Sequence, residues 1–96
     1  MSRTPGMHEV RVRARKAPAT IHTAKEALEA FKRLNTYRDA AREAHIKANW
    51  YTPGTYSFHL HLERESAYDD VADGWENALG YWLRVQAGAD QADDRA

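Results

Sequence analysis

The sequence predicts an α+β fold of two layers: a small, mostly antiparallel sheet of about three strands with two or three helices on one face, in the order ββααβα. Two observations carry that expectation. Residues 56–63, Tyr-Ser-Phe-His-Leu-His-Leu-Glu, alternate cleanly, with Tyr56, Phe58, Leu60 and Leu62 on one side and Ser57, His59, His61 and Glu63 on the other. A period of two is the pattern of a strand with one face on a core and one toward water. Elsewhere apolar residues recur at spacings of three and four, which marks helices that could cover such a sheet.

Taken in order, residues 1–6 read as a disordered lead ending in Pro5-Gly6, and a single domain is expected over 7–88. Residues 8–15 alternate, with Val10, Val12 and Ala14 opposite Glu9, Arg11, Arg13 and Arg15, and predict a first strand. A turn comes next at Lys16-Ala17-Pro18, because proline fixes φ and has no N–H to donate. Residues 19–22 predict a short returning strand with Ile21 inward. Thr23 and Glu26 have the spacing of a capping box. Ala24, Ala27, Leu28, Phe31 and Leu34 then share one helix face. Thr36 followed by Asp39 resembles a second cap, so a break near Asn35 and a second helix over 37–48 are expected, with one long helix as the alternative. Pro53-Gly54 predicts a type II turn, in which glycine takes the positive φ. After the strand at 56–63, Ser66 and Asp69 predict a cap for a last helix, whose stripe is Val71, Trp75, Ala78 or Leu79, Trp82 and Val85 and whose stop is Gly88. Leu28, Phe31 and Leu34, with the last helix, would pack on Ile21, Phe58, Leu60 and Leu62. Residues 89–96 read as an acidic disordered tail.

The chain has 96 residues, no cysteine and zero formal net charge. Disulfides, thiolate metal sites and cysteine nucleophiles are thereby excluded. No apolar run reaches the ~18 residues a membrane-spanning helix needs, so a cytoplasmic protein without membrane contact is expected. The charge is unevenly spread: residues 1–50 hold eleven Lys/Arg against five Asp/Glu, and residues 51–96 hold three against nine. Such asymmetry marks either a surface for a charged partner or two elements that face one another in the fold.

The open sheet face would display Arg11, Arg13, Arg15, His59 and His61, with arginines at steps of about 6.5–7 Å suited to phosphates. Nucleic-acid or anion binding there is one expected function. The same face offers His59 and His61 as a weak candidate pair of metal ligands, with His22 or Glu9 as a third; Glu63, about 13 Å along the strand from His59, is too far to share the ion. Ser57, His59 and Glu63 lie too far apart along an extended chain for nucleophilic catalysis. No phosphate loop, H-E-x-x-H or G-x-S-x-G motif is present. No enzymatic activity and no cofactor are expected.

Trp50, Tyr51 and Tyr81 fall off the apolar stripes, and Trp and Tyr are frequent interface anchors. With the acidic flank of Asp70, Asp73 and Glu76 they form the expected partner-binding set. The leading expectation is therefore a small non-enzymatic interaction module that binds a protein partner or a second copy. In composition the chain resembles accessory proteins of bacteria and their phages.

Overall fold

The computed structural model describes residues 12–95, and the side chains of residues 12–88. It is an all-α helical hairpin: α1 spans Ala24–Ala48 and α2 spans Tyr56–Arg95. Among the described residues there is no strand, so the expected sheet and the ββααβα order are wrong. The backbone of α2 continues through 89–95, the stretch expected as a tail.

Helix α1 begins where its cap predicts. The Thr23 hydroxyl oxygen accepts from the Glu26 N–H at 3.1 Å and donates toward the Glu26 carboxylate at 3.3 Å. The expected break near Asn35 is absent. Thr36 sits mid-helix, its hydroxyl donating to the Lys32 carbonyl at 3.0 Å, the back-bond by which a helix accommodates a threonine.

The turn between the helices is also as the sequence predicts. The Thr55 N–H donates to the Thr52 carbonyl at 3.2 Å across Pro53-Gly54, and Gly54 has φ of 91°. The segment after the turn departs from expectation. The Thr55 hydroxyl oxygen accepts from the Phe58 N–H at 3.3 Å, and the His59 N–H reaches the Thr55 carbonyl at 3.1 Å. Thr55 therefore caps a helix, and residues 56–63 are its first two turns rather than a strand. Ser66 and Asp69, expected at a helix start, lie well inside α2.

The helices pack antiparallel along seams with a seven-residue repeat. On α1 the inward residues are Ala27, Ala30, Leu34, Tyr37, Ala41, Ala44 and Ala48. On α2 the steps of three and four run through Phe58, His61, Glu65, Tyr68, Ala72, Trp75, Leu79 and Trp82, all buried or half-buried. This is the repeat of two helices wound around each other. The alanines let the backbones approach, while Tyr37 and Trp75 are the large aromatic side chains buried between them. Trp75 is buried, as expected, but Leu28 and Phe31, expected in the core, are 55% and 52% exposed.

A third component completes the core. Residues 12–22 run without regular structure along one groove of the hairpin, with Ala14 and Ala17 packed on the core and Ile21 buried. The alternation expected for a strand survives here: Val12 and Ala14 are half-buried while Arg13 and Arg15 are exposed. Helices, not a neighbouring strand, receive the inward side chains. The Arg15 N–H donates to the Tyr37 hydroxyl at 2.8 Å, and the Trp75 indole N–H donates to the Arg15 carbonyl at 2.8 Å. Each helix thus holds one backbone group of the same residue, which satisfies polar groups that have no ladder partner. We refer to residues 12–22 as the strap.

Candidate functional site

The strap covers one groove of the hairpin. The opposite groove is open, and Arg38 stands at its centre. Its guanidinium bonds Asp73 at 2.7 Å and Asp69 at 2.9 Å, with Glu76 at 3.5 Å. The hydrogen bonds to Asp73 and then Asp69 raise the Arg38 pKa above its ordinary value. One cation from α1 faces three carboxylates from α2, so the cluster keeps an acidic surplus. Beside it, His45 Nδ1 lies 3.0 Å from Glu65 Oε1, and Arg38, Ala41, Arg42, His45, Glu65 and Asp69 line a shallow groove of about 280 Å³.

Steps of seven residues carry the same lines along both helices, with a drift of only about 20° per step. On α1 the line is Phe31, Arg38, His45; on α2 it is Leu62, Asp69, Glu76, Leu83. The Arg38 ion pairs show that these lines face each other across the groove. Phe31 and Leu83 therefore lie on the uncovered side, each about half exposed, with Leu28 one turn from Phe31 and 55% exposed. The uncovered face is an acidic centre flanked by apolar side chains.

The residues expected to bind a partner do not form one surface. Trp50, 70% exposed, and Tyr51, stacked on His61 at 5.5 Å, lie at the hairpin turn. Tyr81 is exposed twenty residues beyond His61 on α2, a rise of about 30 Å. Asp70 lines a hollow beside the strap with Lys16, Pro18 and Val71. Only Asp73 and Glu76 of the set meet, around Arg38.

The expected anion face is not assembled as a sheet. Arg11 lies outside the described residues. Arg15 has its side chain exposed beside the hollow formed with Glu26, Glu29 and Trp75. His59 sits edge-on to Phe58 at 5.5 Å. Arg13 and His61 do come together, in a cleft between the strap and the hairpin. The candidate metal pair is dissolved by the helix, because residues two apart on a helix do not face each other. Among the described residues no group of three or more His, Cys, Asp or Glu could hold a metal ion, and no helix is long and apolar enough to cross a membrane.

Sequence reading missed Arg38 because its partners are 31 to 38 positions away and nothing local marks them. It placed Leu28 and Phe31 inside because, as large apolar residues, they outweighed the alanines that form the seam. Comparison with family models, with curated proteins and with solved structures finds no match to this chain.

Proposed function

We propose that this protein is a non-enzymatic interaction module that docks on a partner protein through the groove left open by the strap. One observation carries the reading: Leu28, Phe31 and Leu83 are about half exposed on that side, next to the Arg38 cluster and its acidic surplus. Apolar side chains exposed together around unbalanced charge are the composition of a surface that docks on a partner of opposite charge.

The charge selects the occupant. Pairing this face with the same face of a second copy around a two-fold axis would bring two acidic clusters together, and like charges across an interface oppose association. A different protein, presenting an apolar helix edged with Lys or Arg, satisfies both parts of the face. Helix-in-groove docking of that kind is read as anchors at spacings of three, four and seven.

The test begins with sedimentation of the full chain over a range of concentrations, followed by crosslinking in the source cells to recover partners. A recovered partner is purified and titrated into the isotope-labelled chain. The expected result is a monomer alone, with perturbed amide signals centred on Leu28, Phe31, Arg38 and Leu83, and loss of binding in Phe31→Ser. A dimer dispersed by Phe31→Ser, or perturbations confined to the strap side, would overturn the reading.

A further inference from the structure

We infer that the cleft between the strap and the hairpin, on the opposite side from the docking groove, binds a compact phosphate-bearing anion. The cleft has a volume of about 320 Å³ and is bounded by all three segments of the fold. Each segment contributes one cation: Arg13 from the strap, Lys47 from α1 and Arg64 from α2. The one carboxylate in the lining, Glu43, bonds Lys47 at 3.1 Å. Among the described residues neither Arg13 nor Arg64 makes an ion pair. In a chain of zero formal net charge, this concavity therefore holds a local positive surplus, and arginine's planar fork suits phosphate oxygens.

His61 is the second, independent observation. Its ring lines the same cleft and stacks on Tyr51, and its Nδ1 is buried without a hydrogen-bond partner among the described residues. A buried polar atom in a native protein ordinarily has a partner. Here a ring that lines a cationic cleft carries one nitrogen left without a partner among the described residues. Burial, then the charges of Arg64 and Lys47, lower the His61 pKa. An anion among those cations would offset them and raise it again.

The arrangement favours a compact ligand over a polymer. Cations that track a nucleic-acid backbone form a row or groove along it, whereas these converge from three segments on one concavity. A ligand held there would also tie the strap to both helices, so its binding would stabilise the folded chain.

The test uses the full chain with inorganic pyrophosphate, against sodium chloride at equal ionic strength. Saturable binding is expected, with a raised melting temperature and an upward shift of the His61 imidazole titration read by NMR. Arg13→Gln and Arg64→Gln each weaken the binding by roughly tenfold, the effect of losing a hydrogen bond to a charged group. Both arginines are exposed, and unchanged circular dichroism of the variants checks that the fold persists. A response equal to that in chloride, or one unaltered in the Arg13→Gln, Arg64→Gln double variant, would overturn the inference. Tighter binding of a short single-stranded oligonucleotide than of pyrophosphate would overturn the compact-ligand assignment.

Discussion

The indole nitrogen of Trp75 donates to the carbonyl oxygen of Arg15 at 2.8 Å, across 60 positions of sequence. The same arginine is gripped from the other helix through its N–H, which donates to the Tyr37 hydroxyl. Tyr37 and Trp75 are themselves core residues, 6% and 5% exposed. The Arg33 guanidinium joins the group, 3.4 Å from the Tyr37 hydroxyl and 5.6 Å from the Trp75 ring centroid. Its pKa is raised, by the bond to Tyr37 first and to Glu29 second. The strap is thus built into the core, and that asymmetry is what leaves one groove closed and the other open.

Tyr37→Phe keeps the ring and removes the acceptor for both the Arg15 N–H and the Arg33 guanidinium. The expected loss is about 1–3 kcal/mol, the cost of leaving a buried donor unpaired, measured as a lower urea midpoint with an unchanged slope. A larger loss would mean that the ring itself had moved.

Arg38→Met leaves Asp69, Asp73 and Glu76 facing one another. The side chains are between 34% and 61% exposed, so the expected cost is modest, roughly 1 kcal/mol. Added salt should shrink the difference from wild type, because screening weakens both the lost attraction and the new repulsion. Denaturation at low and high ionic strength checks it, and a difference independent of salt would contradict an electrostatic role.

His61 makes stability pH-dependent with a definite sign. Its folded pKa lies below the ordinary value, through burial and the nearby Arg64 and Lys47, so the unfolded chain takes up the proton more readily. Above the ordinary histidine pKa of about 6.5 both states are neutral and His61 adds no slope. As pH falls below it, stability is lost. Arg13, Glu43 and Tyr68 also line this cleft and Tyr51 stacks on the ring, so the readout is the difference between wild type and His61→Gln. The variant should lose less stability between neutral and mildly acidic pH.

Gly80→Ala should stabilise the protein. A Cβ at Gly80 meets nothing within 4 Å, and alanine is about 1 kcal/mol better than glycine inside a helix. A rise in melting temperature of roughly 4–8 °C is expected for a domain of this size. No rise would indicate that α2 is already frayed at that point.

What was legible in the sequence was chiefly local. Thr23 marks the start of α1, Pro53-Gly54 marks the turn, and the inward setting of Ile21 and Trp75 reflects their immediate neighbours. The alternation at 56–63 misled because both backbones can host it. At about 100° per residue, a helix puts Tyr56 and Leu60 on one side and Phe58 and Leu62 nearly opposite, so both sides carry apolar residues. Phe58 belongs to the seven-residue seam, but His61 and Glu65, its next members, are polar and hide the repeat. On α1 the seam is mostly alanine, whose weak apolar signal is overridden by Leu28 and Phe31 on the open side. Asp69 resembles a cap residue in sequence, whereas in space it answers Arg38. The open groove and the cationic cleft depend on which residues cross between segments, and spacing along one segment does not encode that.

Amide hydrogen exchange at Arg15 tests the strap most directly. Its N–H belongs to no helix and is held by the Tyr37 hydroxyl alone among the described residues. In the wild type this amide should be protected well beyond that of an unstructured chain. In Tyr37→Phe that protection is lost while the central amides of α1 and α2 keep theirs. Free exchange at Arg15 in the wild type would contradict the integrated strap, since the segment would then be detached and neither the cleft beneath it nor the one-sided open groove would exist.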